Sequence, residues 1–151
     1  MKALIESLLP SAKSGSLKHL DLSDNNIVND SAADSLADLI ANAKGIGFLN
    51  ISDSNISDEQ AQEKVIDAIK SCSKESDLSQ FMWDYDLDGS ELSQGLVEAL
   101  STFKNIQQVS LMGSIPSKTT RDKLRKDYKA RGAVILLTEN DKQFEEESES
   151  D

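Results

Sequence analysis

The chain has 151 residues, enough for one domain with a core of its own, and only 5% of them are aromatic. Twenty-seven acidic residues against sixteen basic ones give a net charge of −11, which argues against nucleic acid or an anionic membrane and for a partner protein with a basic surface. Cys72 is the single cysteine, so no internal disulfide can form and a reducing compartment is expected.

Met1 to Leu9 has the spacing of an amphipathic helix, with Ile5, Leu8 and Leu9 on one face. Pro10 and then Ser14-Gly15-Ser16 are expected to end it. The stretch is too short for a signal peptide and carries Glu6, and no apolar run is long enough to span a bilayer. A cytoplasmic location is therefore expected, with the nucleus and the nuclear envelope also open. No strand precedes this helix, so the chain opens halfway through a unit and leaves Ala3, Leu4 and Leu8 on an open end.

From Leu17 the chain reads LKHLDLSDNNI, the L-x-x-L-x-L-x-x-N-x-I of a leucine-rich repeat. Leu17, Leu20 and Leu22 should point into a core, and Asn25 should satisfy the backbone of the turn that follows. A single unit of this kind cannot bury its own apolar face, so copies must stack. They do recur. IGFLNISDSNI from Ile46 places Ile46, Leu49, Ile51 and Ile56 at the same offsets, with Ser54 in place of the asparagine. LSQFMWDYDL from Leu78 keeps Leu78, Phe81 and Trp83 and is one residue short before Leu87; IQQVSLMGSI from Ile106 keeps Ile106, Val109 and Leu111.

The helices between the strands agree independently. Leu36, Leu39 and Ile40 correspond to Val65, Ala68 and Ile69, and then to Leu96, Ala99 and Leu100. Ser31 is the expected cap of the first, Ser57-x-x-Gln60 a capping box for the second and Asp88-x-x-Glu91 a similar box for the third. The steps from Leu20 to Leu49, Phe81 and Val109 are 29, 32 and 28 residues, which leaves room for a full α-helix in each unit. The fold class is thus α/β, a leucine-rich-repeat solenoid with a curved parallel sheet on the concave side and helices on the convex side.

After Pro116, Ser117 opens a last helix, SKTTRDKLRKDYKARG, with Leu124 and Tyr128 facing inward and Gly132 ending it. Its basic residues are read as a solvated outer face, with a docking site for an acidic partner as the alternative. AVILL, residues 133–137, is a strand that can seal the sheet. The domain reading is a solenoid over 1–138 and a disordered acidic tail over 139–151.

No catalytic constellation is visible. His19 is the only histidine and has no partner in pattern. Asp84, Asp86, Asp88 and Gly89 fit the opening of a calcium loop, but its twelfth position is Gly95 rather than glutamate, so no metal or other cofactor is assigned. Function is expected instead on the concave sheet, because residues between the core positions of each strand face solvent. Stacking the units gives four columns: His19, Phe48, Gln80, Gln108; Asp21, Asn50, Met82, Ser110; Ser23, Ser52, Asp84, Met112; and Asp24, Asp53, Tyr85, Gly113. The candidate partner-binding residues are Asp21, Asp24 and Asp53 at an acidic end, with Phe48, Met82, Asp84 and Tyr85 beside them, and Met112 extends the apolar part.

With the repeats laid out, the chain resembles the ribonuclease-inhibitor class of leucine-rich repeats. It is most similar to the C-terminal half of the Ran GTPase-activating protein family. The residues that carry this are LKHLDLSDNNIVNDSAADSLADLI, LSQGLVEALSTFKNIQQVSL and the ending DKLRKDYKARG followed by EEESESD. The resemblance implies a helix-capped solenoid with an acidic tail. It also implies a regulator that speeds GTP hydrolysis by a small nuclear-transport GTPase of the Ran type without inserting an arginine. The key contacts of that family lie in more N-terminal repeats, which this chain does not match, so no catalytic residue carries over. A second resemblance, to the tropomodulin C-terminal domain, implies an actin-binding module; the acidic tail counts against it. Either way the expectation is a non-catalytic binding protein, at most a GTPase activator, or a general protein-interaction scaffold.

Overall fold

The computed structural model describes residues 1–27, 30–72, 76–87 and 91–141. Helix and strand alternate: α1 (Lys2–Ser14), β1 (His19–Asp21), α2 (Asp30–Asn42), β2 (Phe48–Asn50), α3 (Glu59–Ser71), β3 (Gln80–Met82), α4 (Glu91–Ser101), β4 (Gln108–Ser110), α5 (Lys118–Ala130) and β5 (Val134–Leu136). The five strands form one parallel sheet in the order β1-β2-β3-β4-β5. The register is the one the repeat alignment demands: Leu20 pairs with Leu49, Leu49 with Phe81, Phe81 with Val109 and Val109 with Ile135. Each strand is only three residues long, yet the ladder runs on past it. Leu22 N donates to Asn50 O, Ile51 N to Met82 O, Trp83 N to Ser110 O and Leu111 N to Leu136 O.

Two stacked columns fill the core. Leu20, Leu49, Phe81, Val109 and Ile135 form the first; Leu22, Ile51, Trp83 and Leu111 form the second, and all are buried. The helices close over them with Ile5, Leu36, Leu39, Val65, Ile66, Ile69, Leu96, Leu100 and Tyr128. Burial of each such side chain contributes roughly 1.5–3 kcal/mol. At the N-terminal end Leu4 is half exposed.

Several local expectations change. Pro10 does not end α1. It sits on the exposed face and the helix continues one turn to Gly15, whose φ of 80° makes the left-handed cap and whose N–H reaches Ala12 O. A mid-helix proline forfeits one backbone bond; the burial of Ile5 before it and Ala12 after it holds the helix across the gap. Ser31 lies inside α2, which already begins at Asp30, and so does not cap it. At α3 the cap is Asp58, one residue beyond the expected Ser57, with its carboxylate accepting from Ala61 N at 3.2 Å. The box proposed at Asp88 lies outside the described residues. Ser117 caps α5 as expected, accepting from Thr120 N. Tyr128 is its buried anchor, and Gly132 takes the left-handed conformation just past its end.

The asparagine position shows how the repeats diverge from their pattern. Asn25 donates to Leu22 O and Ser23 O, closing its own turn. Ser54 donates to Leu22 O of the preceding unit. Asp86, in the third unit, accepts from Trp83 Nε1 at 3.0 Å and from Ser54 N at 3.1 Å through one oxygen. A carboxylate cannot donate back to the turn carbonyls, and burial raises its pKa despite those donors. The native state therefore holds a proton on Asp86 more tightly than the unfolded chain does. This group costs stability at neutral pH, and the cost is relieved as pH falls through its native pKa. Asp86→Asn, which can accept from both donors and also donate, is expected to stabilise the fold by about 0.5–1.5 kcal/mol at pH 7. Urea melts should show the gain shrinking as the pH is lowered toward the ordinary carboxylate range.

Candidate functional site on the concave face

The first two columns line up on the sheet as expected, except that Ser110 at the end of the second is fully buried rather than facing solvent. Paired registers place His19 beside Phe48, Phe48 beside Gln80 and Gln80 beside Gln108, with Asp21, Asn50, Met82 and Ser110 in the next row. Asp21 is exposed, while Phe48 and Met82 are half-buried. Phe48 is partly covered by His19, whose ring stacks on it with centroids 4.1 Å apart and planes 3° from parallel. An aromatic shelf of two rings therefore lies at the N-terminal end of the face, edged by the Asp21 carboxylate. That carboxylate is oriented by the N–H and the Oγ of Ser23.

The third column departs from its expected place. Ser52, Asp84 and Met112 are buried, at 8%, 5% and 6% exposure, so Asp84 and Met112 do not line a binding surface. The cause is the end of strand alternation: the extended stretch is three residues long, and past it the chain turns rather than continuing its pleat. Each amide N–H at this column needs an acceptor that the strand ladder does not provide. Ser23 N uses Asp21 Oδ1 and Ser52 N uses Asn50 Oδ1, in each case the side chain two residues back. Met82 has only a thioether to offer, and Asp84 N goes to Ser52 Oγ at 2.8 Å instead. Met112 N goes to Asp84 Oδ1 at 2.8 Å, which also accepts from Ser110 Oγ at 2.7 Å. Asp84 is thus a bracket between the second, third and fourth units.

The fourth column has a property that periodicity does not reveal. Asp24, Asp53, Tyr85 and Gly113 all have left-handed backbone, with φ of 60°, 51°, 71° and 80°. Their N–H groups bridge successive turns, Asp24 N to Ser52 O, Asp53 N to Asp84 O and Tyr85 N to Met112 O. Aspartate and glycine tolerate this conformation; a tyrosine there costs on the order of 1 kcal/mol or more. Tyr85 is nonetheless 53% exposed. Its ring lies over Gly113, with Cδ1 3.5 Å from where a β-carbon on that glycine would stand. Its hydroxyl donates to Glu139 Oε1 at 2.5 Å. That carboxylate, with some burial and the negative charges of Glu139, Asp84 and Asp53, pushes the phenol up to about 12.

Glu139 and the residues that hold it were not singled out by the sequence reading, which assigned 139 onward to the tail. Thr138 to Asp141 instead makes a short turn against α5. Asp141 accepts from Arg125 Nε at 2.7 Å and Nη2 at 2.9 Å, and also from the N–H of Leu137 and of Thr138. Burial raises the Asp141 pKa, but the guanidinium and the two amides outweigh it and hold the carboxyl below its usual value. Residues 142–151 lie outside the described residues. The basic helix is partly committed to structure as well: Arg121 donates to Ile115 O and Pro116 O, and Arg131 to Ser101 O and Phe103 O.

Among the described residues no catalytic or metal-holding cluster assembles elsewhere. Of the calcium-like spacing, Asp84 and Asp86 spend their carboxylates on the donors named above, and Asp88 and Gly89 lie outside the described residues. Among the described residues no three His, Cys, Asp or Glu side chains converge to hold a metal, and no helix is long and apolar enough to cross a membrane. Cys72 is half-buried against Ile40 O and Ala68 O, and burial pushes its thiol up, away from reactivity.

Sheet, stacked cores and left-handed turn column together define a βα leucine-rich-repeat solenoid. The sequence matches no protein-family model and no curated protein. Solved structures do share its fold. The tropomodulin C-terminal domain of Caenorhabditis elegans superposes with a TM-score of 0.70 at 14% identity, over 88% of this chain and 81% of that one. A structure of leiomodin-1 actin-binding site 2 gives 0.66 at 9% identity, over 89% and 79%. At such identities the likeness is one of fold.

Proposed function

We propose that this chain is a non-catalytic protein-binding module and that actin is its partner. The observation that carries binding is Tyr85, an aromatic side chain kept half exposed at a backbone conformation that disfavours it, beside the carboxylates of Asp53 and Glu139. Strain of this kind clusters where function needs it. The choice of actin rests on the shared fold with a domain named for an actin-binding site. The partner surface would set a basic rim around an apolar anchor that meets Phe48, Met82 and Tyr85. Asp21, Asp24 and Asp53 would steer it in. A cytoplasmic location belongs to the same proposal.

A Ran-type GTPase regulator is the second reading, supported by the order of terminal helix, glycine cap and acidic ending. One pair of assays separates the two: co-sedimentation and gel filtration with filamentous and monomeric actin, and single-turnover GTP hydrolysis by a Ran-type GTPase. Actin binding with no acceleration of hydrolysis is expected. Tyr85→Ala and Phe48→Ala should each weaken the complex by about 1–3 kcal/mol, mainly through faster dissociation. Asp24→Lys and Asp53→Lys should slow association, an effect that high salt removes. Binding unchanged in both aromatic variants would place the interface elsewhere, and failure to bind actin at all would end that assignment.

A further inference from the structure

Tyr85 spans three neighbours. Its backbone belongs to the third unit, its ring crosses Gly113 of the fourth, and its hydroxyl ends on Glu139, beyond β5. Gly113 supplies the left-handed turn under the ring, and a β-carbon there would meet the ring only at ordinary contact distance. Glu139 in turn stands two residues from Asp141, a carboxylate with several donors. Asp141 takes a two-point hydrogen bond from the Arg125 guanidinium, two backbone amides and Thr138 Oγ1. Arg125 also donates to Thr138 Oγ1 and, through Nη1, to Asp122 Oδ1 at 2.9 Å. A planar guanidinium gripped on both edges fixes position and orientation together. The turn that presents Glu139 is therefore anchored to α5 far more firmly than one exposed carboxylate could anchor itself.

We propose that residues 138–141 are a strap that sets the orientation of the Tyr85 ring through Glu139, with Arg125 and Asp141 as the positioning pair. This rests on the reading of Tyr85 as a partner contact and extends it. The strap takes up the hydroxyl and leaves the side chain half exposed. It immobilises the side chain before any partner arrives, so less rotamer freedom is lost on binding. The groups whose charge reaches the phenol are Glu139 from the strap, Asp53 from the second unit and Asp84 on its own segment.

The test needs no partner. Tetranitromethane attacks the phenolate, so a phenol held by a carboxylate reacts slowly; Tyr128, buried and bonded to Val97 O, is the internal control. With native protein at pH 8, Tyr85 should nitrate slowly. Glu139→Gln and Arg125→Met should each speed it by about tenfold, well short of the roughly hundredfold change in phenolate fraction that a return from about 12 to the ordinary 10 would give, since Tyr85 is solvent-screened. Tyr85→Phe should abolish the fast reaction. Trp83 emission verifies the fold in each variant, and Asp141→Asn serves if Arg125→Met is poorly folded. No acceleration in Glu139→Gln would remove the contact itself. Acceleration in that variant alone, with Arg125→Met and Asp141→Asn at the native rate, would remove the positioning pair. Absence of actin binding would leave all of these outcomes untouched.

Discussion

Trp83→Ala should lower the stability of the fold by about 3–5 kcal/mol. Trp83 is fully buried at the end of β3, in the column that Leu22, Ile51 and Leu111 fill in the other units. It is the largest member of that column, so truncation leaves a cavity that its stiff neighbours cannot collapse into. A polar loss adds to the cavity. Trp83 Nε1 donates to Asp86 Oδ2, and without it a carboxylate already strained by burial keeps only backbone donors, those of Ser54 and Asn55. Trp83→Phe, which keeps much of the volume and loses only the donor, should fall between. Urea denaturation followed by circular dichroism measures both. A change below about 1 kcal/mol for Trp83→Ala would mean that the ring does not fill the stack. Because each unit touches only its neighbours, the damage should centre on the second to fourth units. Hydrogen exchange in α3 and α4 should rise before that in α1.

The sheet order, its register and both core columns were legible in the sequence because a repeat states the same requirement several times over. Leu20, Leu49, Phe81 and Val109 differ in size but not in offset, and a parallel stack tolerates exchange within a column. Elements set by a single residue were harder to read. Pro10 argues for a break by its own chemistry, while the burial of Ile5 and Ala12 that overrides it is tertiary. The cap of α3 moved from Ser57 to Asp58, a one-residue choice between two good acceptors.

The candidate site was half legible. The pleat gives the columns of Phe48 and Met82 correctly, since those residues lie within strands. It fails at Asp84, which is buried where the chain has left the strand; Tyr85 is exposed as expected, but a left-handed turn rather than the pleat puts it there. Only the recurrence of Asp, Asp, Tyr and Gly at the fourth column hinted at left-handed backbone, and the glycine at its last member was the available signal. Glu139, Arg125 and Asp141 could not be found by pattern, because their contact joins a helix to a segment whose composition resembles the tail.

The reassignment of Asp84 from surface to bracket makes the last prediction. Asp84→Ala removes the acceptor for Met112 N and for Ser110 Oγ, both buried where water cannot replace it. The expected cost is about 2–4 kcal/mol, the price of stranding buried donors that were bonded to a charged group. Asp84→Asn retains one acceptor oxygen and should lose about half as much. Neither change should weaken partner binding when measured well below the melting temperature, since the carboxylate does not reach the surface. Tyr85→Gly should behave in the opposite way. It relieves a left-handed tyrosine and should raise stability by about 0.5–1 kcal/mol, while removing the aromatic contact and with it about 1–3 kcal/mol of binding. Two residues adjacent in the chain would then move stability and affinity in contrary directions. If Asp84→Ala instead costs binding and spares stability, its side chain turns outward in solution and the bracket between units is not formed.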